Sequence, residues 1–219
     1  MSQKRRTRAE QVRLKRMLLI IWAVFLLLVL GVIVLLILNK DSLMEDLGMK
    51  KETIYAENAD PDINKLVSDY YAAYAACDQK ALQSMVTDPS LFDDMSIVEK
   101  KADVVTAYNN LKIYTIPGLK EGETVAYVLT NISIANVVSQ PLDIIRPPLY
   151  ILKKDGKYLI DNSTLSTEIL NYINSLDQKE DIVALMKLVR EDQEKCLAED
   201  ETFRSFYDRL NQTGSSSGD

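Results

Sequence analysis

The chain has 219 residues, with 26 Lys and Arg against 32 Asp and Glu, no histidine, two cysteines and seven glycines. The missing histidine excludes a Ser-His-Asp triad, a Cys-His pair and any histidine metal site, and glycines this few and scattered cannot form a phosphate-cradling loop. The formal net charge of −6 hides a division: Met1 to Arg16 carries seven bases and one acid, which leaves −12 on the rest and argues against nucleic-acid binding there.

Met17 to Leu38 is an unbroken apolar run of 22 residues, 18 of them Leu, Ile, Val or Phe. As a helix rising about 1.5 Å per residue it covers about 33 Å, against about 30 Å of bilayer hydrocarbon. Insertion is worth about −5 to −11 kcal/mol on a per-residue scale. An amphipathic core helix would carry polar residues on one face, and this run has none. Lys4, Arg5, Arg6, Arg8, Arg13, Lys15 and Arg16 keep the N-terminal side cytoplasmic, where they also suit anionic lipid. A cleaved signal peptide is the competing reading, but it wants a shorter apolar stretch ending in small residues. This run ends Leu-Asn-Lys-Asp-Ser-Leu. The expectation is a signal anchor: segment 1–16 cytoplasmic, 17–38 transmembrane, and everything beyond extracytoplasmic on a single-pass protein of the cell membrane.

Residues 39–59 are polar and mixed in charge and read as a stalk. Asp60-Pro61-Asp62 is a helix start, with Asp60 as N-cap and Pro61 in the first turn. Ile63, Leu66, Val67, Tyr70, Tyr74 and Cys77 then recur by threes and fours on one side. Asp78 opens a second helix that Asp88-Pro89 ends. Ser96 and Glu99 have capping-box spacing and predict a third helix from Ile97 to Tyr108, broken at Asn109-Asn110.

From Leu111 the pattern becomes that of strands, at Leu111–Leu119, Glu123–Val138, Asp143–Lys154 and Lys157–Asp161. Lys120-Glu121-Gly122 suits a short hairpin loop, and Asp155-Gly156 is the type I′ signal. Pro147-Pro148 cannot donate ladder bonds and predicts a bulge or an edge inside the third strand.

The segments DINKLVSDYYAAYAACDQKALQSMV, YNNLKIYTIPGL and PLYILKKDGKYLIDNS resemble the nuclear transport factor 2-like superfold, which includes the ketosteroid isomerase-like and SnoaL-like proteins. The resemblance covers residues 60–162. It implies an α+β fold in which helices pack on a curved antiparallel sheet to make a cone, with a pocket at its wide end. Tyr70, Tyr74, Tyr108, Tyr114, Tyr127 and Tyr150 are candidate pocket residues, and equally candidates for a filled aromatic core. An isomerase or dehydratase of this superfold would need a carboxylate base and a donor such as tyrosine. Asp69 and Asp103 are the nearest acids in sequence, both off the apolar stripe.

Residues 163–212 form a helical extension that the superfold does not explain. Ile169, Ile173 and Leu176 make one stripe, Asp177 to Glu180 reads as a capping box, and Ile182, Leu185, Met186 and Val189 make a second stripe. Phe203, Phe206, Tyr207 and Leu210 make a third. These stripes pack on the domain itself or present a surface to a protein partner or a second copy. Residues 213–219 are Ser/Gly-rich and expected to be disordered. Cys77 and Cys196 fall on apolar helical faces and read as buried free thiols rather than a disulfide. No cofactor, metal or nucleic acid is expected.

Three functions follow as expectations. The first is a non-enzymatic interaction module on a membrane anchor. Its architecture is similar to the inner-membrane assembly factors of conjugative type IV secretion and to membrane proteins associated with mammalian-cell-entry lipid transporters, although the long helical tail departs from the former. The second is a small-ligand sensor or carrier using the cone pocket. The third is a tethered isomerase or dehydratase.

Overall fold

The structure, a computed structural model, describes residues 53–215, with side chains described as far as 212. The segment 1–16, the apolar run 17–38, residues 39–52 of the expected stalk and residues 216–219 lie outside the described residues. Among the described residues no helix is long and apolar enough to cross a membrane.

The elements in order are β1 (Ala56–Glu57), α1 (Pro61–Ala75), α2 (Gln79–Ser84), a 3-10 turn (Pro89–Phe92), α3 (Ser96–Ala102), β2 (Val105–Pro117), β3 (Glu123–Ile134), β4 (Leu142–Ile144), β5 (Leu149–Lys154), β6 (Lys157–Ile160), α4 (Thr167–Asp177), α5 (Glu180–Glu199) and α6 (Glu201–Ser215). The strands form one antiparallel sheet in the order β1-β2-β3-β5-β6, and β4 pairs with β3 on the edge that β5 also uses. The class is α+β, as expected.

Local chemistry sets the element ends. The Asp60 carboxylate accepts from the N–H groups of Asp62 at 2.9 Å and Ile63 at 3.2 Å, and Asp78 accepts from Ala81 N–H at 3.0 Å, so both are N-caps. Asp155 at φ 51° and Gly156 at φ 77° make the β5–β6 hairpin, the left-handed pair that a type I′ turn requires.

The sheet is covered on both faces, and strand alternation decides which residue joins which core. Ile113, Ala126, Val128, Ile151 and Ile160 pack with Ile63, Leu66, Val67 and Tyr71 of α1, Leu82 of α2 and Val98 of α3. Their neighbours Tyr114, Ile116, Val125, Tyr127, Leu129 and Tyr150 pack with Ile173 and Leu176 of α4 and Ile182, Leu185 and Val189 of α5. Each such aliphatic side chain, fully buried, contributes about 1.5–3 kcal/mol. The extension therefore completes the second layer, and its first two stripes are core.

Several expectations are corrected. The third helix stops at Ala102, and Tyr108 belongs to β2: Val104-Val105-Thr106 are β-branched, and Val105 and Tyr108 pair with Ile134 and Ile132. No Ser96 capping box forms; Asp94 accepts from Ser96 N–H at 2.9 Å instead. Asn109-Asn110 is a bulge within β2, with Asn110 at φ 52°. Glu123–Val138 ends as a strand at Ile134, and Pro147-Pro148 splits Asp143–Lys154 into β4 and β5. Residues 53–59 are not stalk: Ala56–Glu57 pairs with β2, and the Tyr55 ring meets Tyr114 edge-on at 4.8 Å. Asp177 closes α4 rather than capping α5, whose N-cap Lys179 makes no side-chain bond. The last helix continues to Ser215, three residues into the segment expected to be disordered.

Candidate functional site

A cleft of about 600 Å³ is lined by residues of both layers, most of them from the α1 side of the sheet. Tyr70, Tyr71 and Tyr74 of α1 and Tyr108 of β2 line one side. Lys101 of α3, Asp143 of β4, the stretch Ile145–Tyr150, residues 160–165 at and beyond the end of β6, and Leu170 of α4 line the rest. The turn within that stretch exists because Pro147-Pro148 interrupts pairing there.

The rings form a connected set. Tyr70 and Tyr71 meet edge-on with centroids 5.3 Å apart at 84°, Tyr71 and Tyr108 lie 4.9 Å apart at 47°, and Tyr70 and Tyr74 lie 6.0 Å apart. Such spacings favour edge-to-face and tilted aromatic contact. Burial pushes the Tyr108 hydroxyl up to about 12 and raises Tyr70 and Tyr71 further. At neutral pH these three are neutral donors.

Two acids line the cleft, Asp143 and Asp161, and Asp161 accepts from Thr87 and Ser163. Burial raises the Asp143 pKa above the ordinary carboxylate value, and the bond that Asp143 accepts from Ile144 N–H at 2.9 Å offsets part of the rise. The carboxylate is near enough to push Tyr71 and Tyr108 upward. Among the described residues it has no ion-pair partner. Arg146 borders the same cleft, but its guanidinium is paired with Asp177 at 2.6 Å.

The structure separates the six expected pocket tyrosines. Tyr70, Tyr74 and Tyr108 share the cleft, whereas Tyr114 and Tyr127 face the opposite core, against α4 and α5. Tyr150 borders the cleft, but its ring packs in that opposite core and its hydroxyl donates to Glu123. Strand alternation is the reason: Tyr114 pairs with Tyr127, and Val125 with Tyr150, all on one face. Burial raises Tyr127, and the Tyr114 and Tyr150 hydroxyls are pushed up to about 12 by the same cause.

Asp69 and Asp103 are exposed and outside the cleft, Asp69 paired with Lys65 at 2.6 Å. Two residues of the site, Tyr71 and Asp143, were missed. Tyr71 follows Val67 by four, a step within the apolar stripe, and Asp143 stands alone between Leu142 and Ile144, a pattern that marks an acid held in an apolar strand.

The four expected surface residues of α6 divide as well. Phe203 is 4% exposed and anchors the helix, Phe206 is half-buried at 6.5 Å from it, and Tyr207 and Leu210 are exposed. Phe203 is thus spent on the fold. Cys77 and Cys196 are free and half-buried, and burial raises the Cys196 thiol. Among the described residues no group of three or more acids or cysteines could hold a metal.

No protein-family model matches this chain, and neither does any curated protein or solved structure.

Proposed function

We propose that the chain is a single-pass membrane protein, N-terminus cytoplasmic, whose extracytoplasmic α+β body is a small-ligand-binding module. The observation that carries this reading is the cleft of about 600 Å³, lined by tyrosines and by Asp143, a carboxyl group with no ion-pair partner among the described residues. Sites of this size, mostly apolar with a few convergent polar groups, are typical of small-molecule binding. Helices followed by an antiparallel sheet are the order that the proposed likeness to the nuclear transport factor 2-like superfold expects, and the apolar run 17–38 supports the anchor.

The interaction-module reading rests on Tyr207 and Leu210 of α6, which are exposed, since the stripes of α4 and α5 pack on the sheet. The isomerase or dehydratase reading is favoured by one observation, a part-buried acid of raised pKa near Tyr71 and Tyr108.

The test is extraction of small molecules from the full chain purified out of its own membrane, by mass spectrometry, beside a Tyr71→Arg/Leu149→Arg variant that fills the cleft. A compound bound to the native chain and missing from the variant is expected. Identical extracts, with both proteins folded, would contradict the proposal.

A further inference from the structure

One carboxyl group of the cleft has no ion-pair partner among the described residues. Asp143 is part-buried on β4, accepts a single backbone hydrogen bond from Ile144, and has no cationic partner among the described residues. Other charged groups border the cleft. Arg146 is committed to Asp177 at 2.6 Å, Asp161 accepts from Thr87 and Ser163 at 2.9 and 2.7 Å, and Lys101 is exposed, where water screens it. Burying a carboxylate without a partner is costly, so a cation entering this space would remove that cost.

The walls favour one class of cation. Five tyrosines border the space, four of them on the α1 side, and an aromatic ring carries a negative face that attracts a weakly hydrated cation such as an alkylated ammonium. A small metal ion is poorly served, since no group of three or more acids or cysteines stands there among the described residues, and hard cations need several oxygen ligands. An anion would meet the carboxylate and the ring faces together. The volume of about 600 Å³ exceeds what an ammonium head alone fills, and Ile145, Pro147, Leu149 and Leu165 give the remainder an apolar lining.

We propose that the cleft receives an organic ammonium group joined to an apolar body, its charge held among Tyr70, Tyr71, Tyr74 and Tyr108 and balanced by the Asp143 carboxylate. The proposal rests on the cleft being a ligand site, and it names the ligand's chemistry. A soluble amine and a choline lipid headgroup share that chemistry.

The test uses the full chain in nanodiscs of anionic lipid that lack choline. Benzyltrimethylammonium and choline are titrated in one arm, their uncharged counterparts neopentylbenzene and 3,3-dimethylbutan-1-ol in a second, and phosphatidylcholine vesicles in a third. At least tenfold weaker binding of the uncharged counterparts is expected. Asp143→Asn should weaken the ammonium probe about tenfold, as should Tyr108→Leu, whereas Tyr108→Phe keeps the ring and should retain binding. Tyr207→Ala, outside the cleft, should change nothing. Binding in the first arm or the third supports the ammonium assignment and identifies its source as soluble or lipid. Uncharged counterparts that bind as tightly would overturn the assignment and leave the cleft a ligand site. No binding of any probe, with a folded native chain, would overturn the assignment, and the extraction test above then decides the cleft by itself.

Discussion

The Tyr127 hydroxyl donates to the Asp177 carboxylate at 2.7 Å, joining the middle of β3 to the last residue of α4, and Arg146 donates to the same oxygen at 2.6 Å. Through this oxygen the helical extension is fastened to the sheet and to the turn beside the cleft. Asp177→Ala leaves a buried hydroxyl unpaired and should cost about 1–3 kcal/mol in urea unfolding. Tyr127→Phe removes the donor without stranding a polar group and should cost less. Equal losses would mean that the bond does not hold the layer.

Asp143 makes stability fall with rising pH. Burial raises its folded pKa above the reference value of 3.8, so the folded chain keeps this proton to higher pH than the unfolded chain. Its contribution is complete below the unfolded pKa and is lost as pH rises through the folded one. Tyr70, Tyr71, Tyr74, Tyr108, Tyr150, Lys101, Arg146 and Asp161 are the titratable or charged neighbours around the cleft. Asp143→Asn should therefore raise Tm at pH 7 by about 2–4 °C, and the gain should vanish below about pH 4. A lower Tm at pH 7 would mean that the ionised carboxylate has a partner.

The Asp200 carboxylate has the opposite sign. Bonds from the Thr202 hydroxyl and from Ser139 hold it far below the ordinary carboxylate range. The Asp200 carboxylate accepts from Thr202 Oγ1 at 2.6 Å and from Ser139 N–H at 2.7 Å, tying the start of α6 to the β3–β4 loop. Its stabilisation is present above the unfolded pKa and disappears as pH falls through the folded value. Asp200→Ala should speed amide exchange across α6 and the loop around Ser139, with β3 and β5 unchanged. Uniform acceleration would show that α6 and the sheet open together.

Gly118 lies where a side chain cannot. A Cβ there would sit 2.5 Å from the Glu123 Cβ and 2.8 Å from its carbonyl carbon. Glu123 holds the Tyr150 hydroxyl and the Lys120 N–H. Gly118→Ala should cost about 1–3 kcal/mol in urea unfolding, and Gly122→Ala, at φ 81° with 3.6 Å of clearance, about 1 kcal/mol. A neutral Gly118→Ala would mean that the β2–β3 hairpin relaxes freely.

The proposed orientation has its own test. Protease added to intact cells should degrade the body from residue 53 onward and leave a tag at residue 1 protected. Protection of the body with a C-terminal reporter active in the cytoplasm would reverse the assignment.

The starts at Asp60 and Asp78 and the turn at Asp155-Gly156 were legible because each depends on a few neighbouring residues, whereas the capping boxes expected at Ser96 and Asp177 do not form. What could not be read depends on pairing across the fold. Helix α3 gives way to β2 because Val105 finds Ile134, and Asp177 leaves its capping-box position for Tyr127, fifty residues away. The cleft was legible by half: α1 spacing placed Tyr70 and Tyr74 on one side, but which strand tyrosines join them depends on register, and a one-residue step sends a ring to the other face. Asp143 was hidden because the sequence read it as the start of a long strand, whereas Pro147-Pro148 cuts that strand to three residues beside the cleft.

The most direct measurement is the tyrosine-ring NMR spectrum of the full chain in nanodiscs, each ring assigned by single substitution, before and after addition of benzyltrimethylammonium. Binding in the cleft predicts shifts at Tyr70, Tyr71, Tyr74 and Tyr108, with Tyr114 and Tyr127 unmoved on the far side of the sheet. Shifts confined to Tyr114 and Tyr127, or to Tyr207 on α6, would contradict the account.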